Sequence, residues 1–284
     1  MTFRQSLTAG ILAGCAALAA PLAAQTADAP DPAQADDRLL DDARKAERIG
    51  AQLYAFDQAA WHGSDAFAKD VSAIPQGVVP LGYVVVPSDQ DALDLVFYGV
   101  QDEQPVQVAR YVIDGGEVTS GGIAIAPLGT LEERLMAARN TAIKTAENEQ
   151  FQFCADAMPN TVVLPPDEFD EVSVYLLTPM IEHGSFPLSG HYRVLTLNGG
   201  AIRGWERFGS ACEAISWDPE DDELDLRVFY TSEAKSRHPS EIHSFVGHYV
   251  PFSLGVVTGK VVWPVLGGAF ADPVEADPEM MATE

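Results

Sequence analysis

The chain has 284 residues, 47% of them apolar, and its 42 acidic side chains against 17 basic ones give a formal net charge of −25. That apolar content excludes a wholly disordered chain, and the length suits one large domain or two small ones. The acidity excludes nucleic acid and an anionic membrane surface as partners, because both would repel the chain.

The N-terminus reads as an export signal of residues 1–24. Arg4 supplies the positive start, an apolar run follows from Leu7 to Ala20, and Pro21-Leu22-Ala23-Ala24-Gln25 offers small residues for cleavage. The run is too short and too rich in Ala and Gly to span a bilayer well. Leu12-Ala13-Gly14-Cys15 also looks like a lipobox, which would make Cys15 an acylated first residue. That cut would leave a short apolar region before it and apolar residues after it, so soluble export to the periplasm or medium is preferred over a lipid anchor. Cys154 and Cys212 then remain as an even pair, and an oxidising compartment makes a disulfide the default.

Residues 25–37 hold little to bury and read as an acidic tether. Asp36 or Asp37 can cap a first helix in which Ile49, Leu53, Phe56 and Ala60 fall at helical spacing and Gly63 marks the stop. Tyr54 and Trp61 stand one position off that stripe, which reads as core. A second helix spans 130–148, with Thr130 and Glu133 as a capping box and Leu131, Leu135, Met136 and Ile143 on its apolar side.

Strands are expected at 82–86, 93–100, 106–113, 117–123, 161–165, 172–178, 190–197, 201–208, 224–231, 241–250 and 255–263. Asp114-Gly115-Gly116 and Asn198-Gly199-Gly200 carry the residues of tight hairpin turns. If the turn is Gly199-Gly200, Arg193 faces Glu206; if it is Asn198-Gly199, Tyr192 faces Trp205. Runs beginning at Leu93, Val172 and Leu224 resemble one another and each precedes a hairpin, so three related units are one reading and common strand vocabulary the other. Strands in series without alternating helices predict an α+β fold with a curved or barrel-like antiparallel sheet and two main helices. The expected limits are a single domain over 38–268 and a disordered acidic tail over 269–284.

Candidate chemistry is sparse. His238, His243 and His248 are five residues apart, and odd offsets on a strand point to opposite faces, so no metal site is expected. His183 and His191 flank Gly184-Ser185-Phe186-Pro187, yet no Gly-x-Ser-x-Gly elbow is present. His183, Ser185 and His191 are therefore weak catalytic candidates. Arg193, Arg203 and Arg207 with Trp205 form the densest basic group, a pattern that can anchor a small anionic or sugar-like ligand or can pair with nearby acids. Eighteen of the 42 acids fall within 28–42, 213–225 and 272–284, and adjacent acids of this kind usually form solvated turns and tails.

These features lead to an exported, non-enzymatic module that binds a protein partner or small ligand through its sheet and loops, without a cofactor. The alternative is a periplasmic hydrolase using the His183–His191 region.

Overall fold

In a computed structural model the chain is described over residues 32–276, except 89–90, 198–199, 210, 222, 225–227 and 233–235, with side chains from Asp37 onward. The expected export signal, Cys15, most of the tether and the last eight residues of the tail lie outside the described residues.

The first helix, α1, runs Pro32–Asp70, so it begins inside the expected tether and passes straight through Gly63. Proline suits a first helical turn, where its missing N–H has no partner to lose. Ala43, Ala46, Leu53, Phe56 and Ala60 are buried along one face. Gly63 continues the helix because the chain packs there against Leu95, whose side chain occupies the space a Cβ would take.

Four antiparallel strands follow: β1 (Val78–Pro87), β2 (Leu93–Gln101), β3 (Gln104–Asp114) and β4 (Glu117–Ala126), neighbours in that order. Gly115 and Gly116 have φ of 57° and 83° and join Asp114 to its cross-strand partner Glu117. Both glycines thus sit where a side chain would be strained. Helix α2 (Thr130–Asn148) comes next. The expected capping box is absent there, because Gly129 is the cap and Thr130 is already helical.

The second sheet pairs β5 (Asn160–Val163), β6 (Glu171–Leu177), β8 (His191–Leu197) and β9 (Ala201–Phe208) in that order. Its inserted strand β7 (Ser185–Pro187) pairs instead with β10 (Ala214–Ser216). Both halves are therefore a helix followed by a four-stranded antiparallel meander. The resembling runs at Leu93 and Val172 are the second strand of each, while the third belongs to a different arrangement. That arrangement places β11 (Val228–Thr231) parallel to β12 (Ser253–Thr258), then antiparallel β13 (Val261–Leu266) and β14 (Ala269–Phe270), with β15 (Val274–Glu275) also on β13.

Three expectations change here. The segment expected as a strand over 241–250 forms helix α3 (Glu241–Gly247), all seven residues of which are buried. An apolar run buried all round carries no period to separate helix from strand. The backbone N–H of Ser240 donates to Nδ1 of His243 (3.0 Å), which closes the helix start. The expected strand 255–263 is a hairpin instead, with Gly259 at φ 67° in its turn. The expected tail is part of the third sheet as far as β15.

The α+β class and the antiparallel sheets hold, and none of the four sheets closes into a barrel among the described residues. The first two sheets meet where β1 runs beside β5. Period-2 alternation sends Val84, Val86, Val96 and Tyr98 towards α2, where Leu135, Ala138 and Ala142 meet Val174 and Leu176 of β6. The intervening Val85, Leu95 and Phe97 face α1 and share the larger core with Leu177, Phe245 and Trp263. Cys154 and Cys212 are disulfide-bonded, with Cα atoms 5.2 Å apart, and fasten the segment after α2 to the one after β9.

Candidate functional site

The residues singled out for catalysis have separate environments. His191 is fully buried, its Nδ1 accepting from the Thr178 N–H (3.1 Å) and its Nε2 donating to the Pro187 carbonyl (3.1 Å). Because Nδ1 accepts, the proton must be on Nε2, so backbone groups occupy both ring nitrogens. Burial, slightly offset by the Pro187 carbonyl, pulls its pKa down to about 4. Ser185 pairs its hydroxyl with that of Ser216 (3.2 Å), and His183 lies exposed in the preceding turn.

In the basic group, Arg193 faces Glu206 in register and pairs with both Glu206 and Glu241, the facing being set by a register shift between Leu195 and Thr196, since the hairpin closes with Leu197 opposite Ala201. The Tyr175 hydroxyl donates to the same Glu241 oxygen (2.9 Å), making an interior network. Arg203 pairs with Glu171, and Arg207 lies over the Tyr192 ring while lining a small cavity with Arg193, Glu206 and Glu241. Trp205 packs on Phe151 with ring centres 4.8 Å apart. The four residues expected to converge on a ligand are engaged with neighbouring acids and rings.

A different site emerges where the edges of the first two sheets meet α1 and α3. A cavity of about 580 Å³ opens there, within the ordinary range for small-molecule sites. Helix α1 contributes Asp57 and, one turn on, Trp61; β1 contributes Tyr83; β7 contributes Phe186; and Phe245 and Tyr249 come from α3 and the turn after it. Ala60 between the two α1 residues adds no bulk, leaving the space open.

The carboxylate of Asp57 is the charged group of this cavity. Its Oδ2 accepts from the Tyr249 hydroxyl (2.6 Å), which in turn accepts from Nε2 of Gln58 (2.8 Å). Its Oδ1 has a long contact from the Asn160 amide (3.4 Å). Burial raises the Asp57 pKa above the usual carboxylate range, opposed by those two hydrogen bonds. Burial also raises the phenols of Tyr83 and Tyr249, which stay neutral donors and acceptors at neutral pH. Phe186 stacks on Tyr249 at 4.9 Å and Phe245 meets it edge-on at 5.2 Å, forming one rigid aromatic wall. Trp61 stands at the mouth, 57% exposed.

No family model, curated protein or solved structure matches the chain.

The aromatic stripe of α1 reads from sequence as core, which hides this site. Two signs were present. Trp61 stood off the apolar stripe, and Asp57 interrupted a run of apolar and aromatic residues at helical spacing from it. Neither shows that Asn160 and Tyr249, far away in sequence, complete the cavity.

Proposed function

We propose that the protein is an exported, non-enzymatic binding module that holds a small ligand in the Asp57 cavity. The observation that carries the reading is a half-buried carboxylate, with no cationic partner among the described residues, in an open aromatic cavity. Burying a charge in that way costs stability, and a ligand that compensates it is a physical reason to keep it. Rigid rings and a prearranged hydrogen-bond relay reduce the ordering cost of binding.

Support for export comes from the disulfide and from the apolar run after Arg4. The hydrolase alternative draws no support from His191, whose two nitrogens are spent on backbone groups.

Two measurements test the proposal. Native mass spectrometry of protein purified from its own host is expected to show a retained small molecule that is lost on Trp61→Ala. A binding survey in which every ligand is indifferent to Trp61→Ala and Asp57→Asn overturns the cavity as the site. The mass of the mature N-terminus tests export: cleavage near Gln25 supports the soluble form, lipid mass on Cys15 an anchored form, and an uncut chain in the cytoplasm overturns both.

A further inference from the structure

We infer that the cavity takes an organic cation, an ammonium group on an apolar body, with its nitrogen seated at Asp57. The inference rests on the binding reading above and specifies its ligand chemistry. Three observations converge on it.

The first is the hydrogen-bond capacity of the carboxylate. Oδ2 is committed to Tyr249, whereas Oδ1 has one 3.4 Å contact and so retains room to accept a short, charge-assisted bond. Asp57 has neutral donors alone among the described residues, and no lysine, arginine or histidine lines the cavity. A cation supplies the missing charge; an anion would be repelled.

The second is the wall. Trp61, Phe186 and Tyr249 present aromatic surface around the acid, while Tyr83 already has the Arg139 guanidinium 5.6 Å from its ring centre. Ring faces carry partial negative charge and attract ammonium groups, with the largest effect where water is excluded. The same rings bury an apolar body.

The third is the long-range field. A chain with formal charge −25 concentrates cations near its surface and lowers the local concentration of anions. The preferred ligand is therefore opposite in sign to the one expected from Arg193, Arg203 and Arg207.

The test is calorimetric titration of the full mature chain at pH 7 with phenethylamine, its neutral isostere 2-phenylethanol and the anion 3-phenylpropionate, with choline and putrescine as further cations. At least one amine is expected to bind about tenfold or more tightly than the neutral and anionic compounds. That preference should disappear in Asp57→Asn, whose fold is checked by circular dichroism and melting temperature. Acidification should weaken the amine as Asp57 protonates, and added salt should weaken it as well.

If 2-phenylethanol or the anion binds as tightly as the best amine, and does so through Trp61, the cation inference falls while the cavity stands. If a cation binds equally well to Asp57→Asn, the assignment of the nitrogen to Asp57 falls. Should none of the five compounds bind at millimolar concentration while the retained molecule of the native protein is uncharged, the inference is overturned and the binding reading survives. With neither probe nor retained molecule detected, both fall together.

Discussion

The hydroxyl of Tyr249 donates a 2.6 Å hydrogen bond to Asp57, joining the turn after α3 to the middle of α1 across 192 positions of sequence. Because Gln58 donates to the same hydroxyl, the phenol's proton is directed at the carboxylate rather than at solvent. The bond stabilises an anion that burial disfavours. Its partner residue is thus both a stability cost and the centre of the proposed site.

Asp57→Asn should therefore stabilise the ligand-free protein at pH 7 while removing cation binding. The amide oxygen still accepts from Tyr249, and the charge is gone. Removing a functional burden of this kind commonly gains about 0.5–2 kcal/mol. The folded pKa of Asp57 lies above its unfolded value of 3.8, so the wild-type penalty is complete above the folded pKa and vanishes below the unfolded one. Urea unfolding of both proteins from pH 7 down to pH 3.5 should show the variant's advantage shrinking. An advantage that grows on acidification would contradict the assignment.

Tyr249→Phe isolates the hydrogen bond. It leaves the aromatic wall in place but deprives the carboxylate of its shortest donor, with an expected loss of about 1.5–3 kcal/mol at pH 7. The loss should be smaller in Asp57→Asn/Tyr249→Phe than in the single variant, since a neutral acceptor loses less. A double-mutant cycle by chemical denaturation reads this coupling directly.

His191 gives a second pH dependence, of opposite sign. Its folded pKa of about 4 lies below the unfolded 6.5, so the unfolded chain takes up the proton first. The corresponding stability is whole above pH 6.5 and is lost as pH falls towards 4, a total of about 3 kcal/mol. Burial also lowers His248, with Glu47 opposing, and this adds a same-signed contribution. His191→Gln, which can keep an acceptor and a donor without titrating, should flatten the stability curve between pH 6.5 and 4. Its absolute stability at pH 7 is a separate quantity, and an unchanged slope would remove His191 as the cause.

Two glycines of α1 should respond differently to alanine. A Cβ at Gly50 would collide with the side chain of Ser244 and stand 2.6 Å from the Glu241 carbonyl, which is backbone of α3 and has little freedom to move. The overpacking cost, about 1–3 kcal/mol, exceeds the helix-propensity gain of about 1 kcal/mol. At Gly63 the nearest atoms all belong to the Leu95 side chain, Cδ2 first and Cβ at 3.1 Å, and no backbone atom stands as close. Gly50→Ala should lower the melting temperature, and Gly63→Ala should lie much closer to wild type.

The parts legible in the sequence are those set by neighbours along the chain. Gly115 and Gly116 announced their hairpin because a tight turn needs positive φ, whereas Arg193 meets Glu206 through a register shift between Leu195 and Thr196 that the turn residues do not encode. Cys154 and Cys212 were the pair left once the N-terminal region was set aside. What period and turn chemistry do not encode is an all-round buried segment such as α3, or a helix that continues through Gly63 because Leu95 fills the space beside it. The candidate site belongs to this second kind. Asp57, Tyr83, Asn160 and Tyr249 come together through the meeting of β1 with β5 and the docking of α3 on α1, which are tertiary events.

Arg193 provides the control that separates architecture from binding. Its guanidinium bridges Glu206 and Glu241, and Glu241 also accepts from the fully buried Tyr175. Removing one member of such a pair strands the other, at a cost of about 3 kcal/mol or more, whereas replacing both with apolar groups costs less. Arg193→Met should thus lower stability in urea by about 3 kcal/mol, and Arg193→Met/Glu241→Leu should recover part of the loss, although Tyr175 then lacks its acceptor. Both variants, measured well below their melting temperatures, should keep the affinity of wild type for the amine that binds best. A selective loss of ligand binding in Arg193→Met, with the fold intact, would return the site to the arginine face of the sheet and away from Asp57.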